Sequence, residues 1–599
     1  MVEQSVERSS CMYDVASKPR SNWLSPRLAI PILLGILFAC GDQVASSDGR
    51  LYESVPVLGV KAIFYALLFT VAFVLGERLL RRFCVKNAER GDNLSCGDGT
   101  DGGPRTGHHH TGLIDYDRAS RNLLINGGII ALCWLPYIVC LYPGVYWSDT
   151  SKQLLMHYGV VALTDHHPFA TTFLYGLMAD IGKSLFGSAI LGLYVIVLVQ
   201  IVSAVLIFSY TTLYLRELGT PRVGCHIALA FFALFPLFPV MFTSLVKDTL
   251  SVLFFIPFTM MYVRAFASEG RNLLQLRSTV LLFILGLLAC LTKKAMTYVI
   301  VPSLLFIAFA KMSRRAKANG VIAGMAIVLT MFAIIPYVVM PALHVAPGGV
   351  QESIPFAIQE VAHDVKYNGD ELTTRDRETV SRFLQIEYSK IPGAYAWQIA
   401  DPVKGTQLRD PAYLGDFLKL WVRQWTEHPL GHFESWVGLV EGWFSFVNKD
   451  GTPNYMVVCT ESAWYYDPIL SYVPDWPLKE AHSGAARSLY DSEQGVPVVN
   501  FLFYRSVWAS VLPCFILYLI LAGKNVRHSF ELFLSAMPMA MTFLYLMLVP
   551  VSGTGGEPTR YVFQLVCTFP LYFLQVIRGL GVSRADIYTT SSNQILFSM

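Results

Sequence analysis

Four groups of ionisable residues stand at the ends of apolar runs, where charge is costly unless it is paired, wet or used. Asp149 and Asp165 lie in the stretch YPGVYWSDTSKQLLMHYGVVALTDHHP (142–168), which also carries Lys152, His157, His166 and His167. The other groups are Lys247-Asp248, Lys293-Lys294, and Glu557 with Arg560. Carboxylates exchange protons, and lysine and arginine hold anions, so together they offer acid–base work beside a negative charge. Any one of them alone is more simply a marker of the membrane surface, since long side chains snorkel. The recurrence of acid and base on one expected face makes the set a candidate site.

Other signals are weaker. His166 and His167 are adjacent, point in different directions and lack metal-ligand spacing, so they read as a helix entry and polar contacts near the site. GLMADIGKS has Gly176 and Gly182 one residue too far apart for a phosphate loop and no strand before it. His108-His109-His110 falls in a Gly- and Asp-rich stretch and carries no expected role. Tyr146 and Trp147 beside Asp149 suit either a sugar ring or the ordinary aromatic belt of a membrane protein.

The elements that must position these residues are apolar helices. Hydrophobic residues make up 54% of the 599 and charged residues 15%, with a mean hydropathy of +0.46. Soluble chains carry about a quarter charged residues, and several runs here reach the roughly 18 residues of a bilayer span. The composition predicts an all-α, multi-pass membrane protein and excludes a β-barrel, whose signature is short alternating segments. The net charge of +3 does not define a partner, and no nucleic-acid partner is expected. Of eleven cysteines, most sit in or beside apolar runs as packing residues.

Basic connections after alternate runs sort the chain by side. They predict twelve spans near 27–46, 56–79, 122–142, 189–212, 223–244, 249–266, 278–292, 296–311, 319–342, 501–522, 529–551 and 561–578. Both ends fall in the cytoplasm, provided that PFATTFLYGLMADIGKSLFG (168–187) does not span. Asp180 and Lys183 within that run suggest an amphipathic helix at the outer interface. The expected order is a tail (1–26), two extra spans (27–79), a flexible linker (80–121), and a transmembrane core (122–342) whose first outer loop is 143–188. A largely helical extracytoplasmic segment (343–500), the C-terminal spans (501–578) and a tail (579–599) follow. Within the outer segment, Thr373-x-x-Asp376 has the form of a helix capping box.

The order of these motifs resembles glycosyltransferases of the GT-C superfamily, such as protein mannosyltransferases and lipid A aminoarabinose transferases. The acid-bearing outer loop, HHP and an amphipathic helix ending LFG are similar to that family's first outer loop. FALFPLFPVMFTSLVKDTLSVLFF is similar to its second outer turn and matches Asp248. LLACLTKKAMTYVIVP matches a lysine turn at Lys293 or Lys294. EPTRYVFQLVCTFPLY resembles a late arginine-tyrosine signature at Arg560 and Tyr561. The whole of 120 to 580 looks closest to an uncharacterised bacterial family of this type. Two extra leading spans, and HHP-Phe169 in place of a double-proline turn, depart from the pattern.

The resemblance implies an inverting transfer of a sugar from a polyprenyl-phosphate donor to a cell-envelope polymer, lipid or protein, outside the cell membrane. Asp149 would take the acceptor proton, and Lys293, Lys294 and Arg560 would hold the departing phosphate. Asp248 would support the acceptor, orient a lysine or help hold a divalent cation, magnesium or manganese. Tyr146, Trp147, Asp165, His166, His167 and Tyr561 are the expected substrate contacts. The rival reading is a transporter or flippase for a lipid-linked or polymeric substrate, which would place polar groups at the midplane. Gln200 and His226 are its candidates. A third reading, a non-catalytic assembly or polymer-anchoring protein, would rest function on the outer segment without Asp149.

Overall fold

The computed structural model describes residues 26–89, 116–218, 220–405, 411–462, 468–477, 483–523, 526–548 and 558–579. It is an all-α architecture in which the described strands amount to one two-residue pair. In their described residues the twelve expected segments are largely helical. Among the described residues, seven helices are long and apolar enough to cross a membrane, and two further pairs qualify if a bent pair counts as one span. Leu276–Thr292, Lys294–Phe309 and Val507–Leu521 are shorter apolar helices. The helix over 169–186, with 18 residues as long as the first of the seven, is not among the helices that are both long and apolar enough to cross a membrane.

In chain order the first elements are α1 (Ala29–Ser46), α2 (Val55–Glu89) and α3 (Tyr116–Cys140). The two leading helices are integral to the bundle. Gly35 lets α1 approach the backbone of α2 so closely that a Cβ there would lie 2.5 Å from Ala66 Cα. Glu77 of α2 accepts from Arg27, Arg81 and the Tyr518 hydroxyl at 3.2, 2.9 and 2.8 Å, joining the N-terminal pair to the C-terminal helices. Both ends of the stretch expected as a flexible linker (80–121) are helical. The run ERLLRRFCVKNAE keeps α2 helical to Glu89 and α3 begins at Tyr116; His108, His109 and His110 lie outside the described residues.

The site-bearing part follows: β1 (Val145–Tyr146), α4 (Ser148–His157), α5 (Phe169–Phe186), α6 (Ala189–Glu217), α7 (Arg222–Leu234), α8 (Leu237–Thr243), β2 (Ser244–Leu245) and α9 (Lys247–Ala267). Between α7 and α8 the segment bends by 50° at Phe235-Pro236, where proline restricts its predecessor to extended geometry. An aromatic block of Trp134, Phe208, Phe232, Phe238 and Phe242 fills the space beneath the strands; Phe208 and Phe232 stack at 4.2 Å. α5 lies along α6 because Gly182 meets Gly192. A Cβ on Gly192 would come within 1.9 Å of the Met178 carbonyl oxygen, so only small residues permit this crossing.

Helices α10 (Leu276–Thr292), α11 (Thr297–Phe306) and α12 (Arg314–Leu329) complete the first half, with α12 continuing through a wider turn to Ala342. The outer segment, expected as one unit, divides in two. Residues 350–420 build their own core around Ile358, Val361, Val380, Phe383, Phe417 and Leu420. The Thr373–Asp376 capping box is present in both directions, an arrangement that contributes about 1 kcal/mol. From Val440 onward, Trp443, Phe444, Trp476 and Tyr490 join the main core instead.

Candidate active site

The strands set the geometry. Val145 pairs with Ser244 and Tyr146 with Leu245, in parallel. Each strand runs one residue further and enters a helix, so Asp149 and Asp248 are the second residues of two helices that start side by side. Carboxylates are favoured in a first helical turn, where backbone N–H groups are unsatisfied. The Thr150 hydroxyl donates to the Leu245 carbonyl at 2.5 Å and ties α4 to β2. Gln200 donates to the carbonyls of Phe242 and Ser244 at 2.8 and 3.0 Å and accepts from Thr249 at 3.0 Å. The glutamine that the transport reading singled out is thus a staple for β2, and His226 sits on an exposed part of α7.

Asp149 Oδ2 receives Arg560 Nη1 at 2.8 Å and Lys247 Nζ at 2.9 Å, with His167 Nδ1 at 4.0 Å. These partners come from helix Thr559–Gly579, from α9 and from the HHP turn. Burial opposes ionisation of Asp149, but Lys247 and then Arg560 outweigh it and hold the carboxyl well below its usual range. Lys247 also lies 3.1 Å from His167 Nδ1. An ammonium only donates, so Nδ1 accepts and the His167 proton sits on Nε2. Burial and Lys247 keep that ring neutral, its pKa well below the ordinary value. Arg560 Nη2 lies 3.1 Å from the Tyr561 hydroxyl, and its guanidinium faces the Trp147 ring at 5.7 Å.

A second acid–cation pair lies deeper. Lys293 Nζ sits 2.7 Å from Asp248 Oδ1, with side chains only 4% and 1% exposed. The same ammonium faces the rings of Tyr561 and Tyr545 at 5.5 and 5.9 Å. A third pair, Lys294 with Asp165 at 2.9 Å, is more open, and Lys294 also donates to the Asp165 carbonyl. The Asp165 amide donates to Ala346 at 2.8 Å, which pins the HHP loop to the entry of the outer segment. Trp147 is buried in this cluster. Tyr146 is not at its surface: it is fully buried beside Trp476, 5.3 Å between rings, and its hydroxyl donates to Pro143. Both residues of β1 are buried, so the Tyr146 ring packs into the core beneath the cluster.

The family described as "Family of unknown function (DUF6020)" matches residues 155–589. The chain belongs to that family. No curated protein and no solved structure matches it. The matched stretch of this DUF6020 chain contains Asp165, His166, His167, Asp248, Lys293, Lys294, Arg560 and Tyr561, whereas Tyr146, Trp147 and Asp149 precede it.

The DUF6020 site does not suit the magnesium or manganese ion considered for Asp248. Lys293 already neutralises that carboxylate, and no group of three or more His, Cys, Asp or Glu with a metal-binding arrangement occurs among the described residues. Three participants lacked an assigned role in the sequence. Lys247 was visible only as the neighbour of Asp248. Glu352 and Lys404 pair at 2.8 Å, and Glu352 lies 3.8 Å from His166 Nδ1; no local pattern marks them. Glu557, grouped with Arg560 in the sequence, lies outside the described residues. The cluster can hold an anion against Arg560 and Lys247 and take a proton at Asp149.

Proposed function

We propose that this protein is an integral-membrane glycosyltransferase of GT-C type. In this reading its twelve apolar segments span the cell membrane, and the site faces the extracytoplasmic side. A sugar passes from a polyprenyl-phosphate donor to a hydroxyl of a cell-envelope acceptor. The observation that carries the reading is the meeting of Asp149 with Arg560 and Lys247, from three separate elements, at the starts of two membrane-length helices. Such a constellation joins a proton acceptor to cations suited to a phosphate.

In the step itself the acceptor oxygen attacks the anomeric carbon and its proton goes to Asp149. The bond from that carbon to the phosphate oxygen breaks, and its electron pair leaves with the polyprenyl phosphate. Attack opposite the phosphate inverts the sugar. Arg560 offers a planar fork to the departing charge, and Lys247 and Lys294 offer point charges at its edge. Lys293 contributes through Asp248, which it neutralises.

The test follows radiolabelled sugar from membrane polyprenyl phosphates into cell-envelope fractions, comparing the unmodified chain with Asp149→Asn. Loss of labelling from a variant that still inserts supports the reading and the labelled fraction identifies the acceptor. Transfer that is indifferent to this protein ends it and favours a transporter.

A further inference from the structure

The two functions assigned to the cluster conflict in the resting structure, because the base is bonded to the groups that should hold the phosphate. Both cations fall on one oxygen, Asp149 Oδ2, at 2.8 and 2.9 Å. A carboxylate held in that way is a poor proton acceptor, since protonation would forfeit two charge-assisted contacts. Its neighbours carry unused donors. Arg560 Nε, Trp147 Nε1 and His167 Nε2 are buried with no hydrogen-bond partner, and a buried donor left unmade costs about 1–3 kcal/mol. Arg560 is therefore only partly used. Nη1 serves Asp149, Nη2 faces Tyr561, and Nε has nothing to bind.

The geometry points to Asp149 as an internal anion that occupies a ligand's place: a phosphate ester displaces its carboxylate from Arg560 and Lys247, and the displaced carboxylate then becomes the base. Binding is ordered as a result, with the phosphate ester entering before the hydroxyl is activated. A phosphate suits the exchange better than another carboxylate. It brings more acceptor oxygens, which answer the unused donors, and guanidinium binds it through two parallel bonds. The Asp248–Lys293 pair is a separate buried contact that shares no atom with the exchange, which therefore does not require it to open. Without bound phosphate the base stays masked, which protects the enzyme from activating water with no sugar in place. This inference rests on the reading of the cluster as a phosphate-ester site.

Binding of decyl phosphate to the detergent-purified full chain tests it, with calorimetry as the readout and inorganic phosphate alongside. Removing the internal competitor should tighten binding, so Asp149→Asn is expected to bind decyl phosphate about tenfold more tightly than the unmodified chain. Ordinary loss of a ligand contact would weaken it. Asp149→Ala serves as a second variant, and thermal melting without ligand reports whether each is folded. Equal or weaker binding by folded variants overturns displacement and leaves the phosphate site standing. No binding by any chain overturns both. A gain shared by inorganic phosphate supports displacement by the headgroup alone; a gain confined to decyl phosphate supports displacement by a lipid-borne phosphate.

Discussion

Lys293→Met isolates the buried pair on which the deeper half of the site depends. With Nζ 2.7 Å from Asp248, the gross attraction is about 6 kcal/mol at an effective dielectric near 20. Desolvation of both ions cancels much of it, so the pair itself adds little net stability. Removing one partner is different, because it strands a carboxylate that is 1% exposed. That situation costs about 3–5 kcal/mol. Methionine retains most of the lysine volume, so the loss is electrostatic rather than a cavity. The double variant Asp248→Asn with Lys293→Met removes both charges and should recover most of the loss. Denaturant titrations of the purified chain, followed by tryptophan fluorescence, give the four corners of the cycle. A single variant within about 1 kcal/mol of the unmodified chain would refute the reasoning, since Asp248 would then not be a buried anion needing Lys293. The same double variant also separates roles. Retained transfer makes the pair scaffolding, whereas stable but inactive protein places the pair itself in the function of the site.

Other substitutions follow from the same geometry. Arg560→Lys keeps the charge but loses the fork, and sugar transfer should fall about 100-fold with unchanged melting; unchanged transfer would exclude the guanidinium from phosphate binding. Gly192→Ala drives a methyl to 1.9 Å from the Met178 carbonyl oxygen, and overpacking of this kind costs about 1–3 kcal/mol or more. Size-exclusion profiles should show lost or aggregated protein, and a normal profile would mean that α5 and α6 can separate freely. His166 is held down to about 4, chiefly by burial, against about 6.5 in an unfolded chain. Between those values the unfolded chain binds a proton that the folded chain does not, so stability falls as pH drops through that window. His166→Gln should flatten the fall in melting temperature between about pH 7 and pH 4; an unaltered slope assigns it to other groups.

Much of this molecule was legible as runs of apolar residues. A segment such as AILGLYVIVLVQIVSAVLIF has no stable place outside a helix buried in lipid or protein, and it forms α6. Breaks were not read: 223–244 and 529–551 were expected as single spans, yet each holds a bent helix pair, beside Pro236 and Pro538. Two-residue strands carry no periodicity, so the β1–β2 pairing left no trace in the sequence. The charged groups were visible because charge at the edge of an apolar run is conspicuous. Their pairing was not, because Asp149 and Arg560 are 411 residues apart and nothing local measures distance. Lys247 illustrates the gap. Its neighbour Asp248 drew attention as an acid at a helix start, yet Lys247 is the residue that turns toward the other loop. The burial of Tyr146 was equally hidden, because an aromatic beside an acid reads the same whether it packs inward or faces the site.

The paired strands have a consequence for how this chain tolerates insertions and deletions. Because each strand feeds directly into a helix, a one-residue change in the length of either stretch shifts the strand pairing and rotates the start of the helix that follows. An inserted residue between Gly144 and Asp149 would separate α4 from its register with α9, and the acid would no longer meet Lys247. The same holds between Pro239 and Asp248. Length, rather than composition, is therefore the more brittle property of these two turns. The surface of the part that has a core of its own, away from Glu352 and Lys404, is where added or lost residues should be absorbed without disturbing the chemistry.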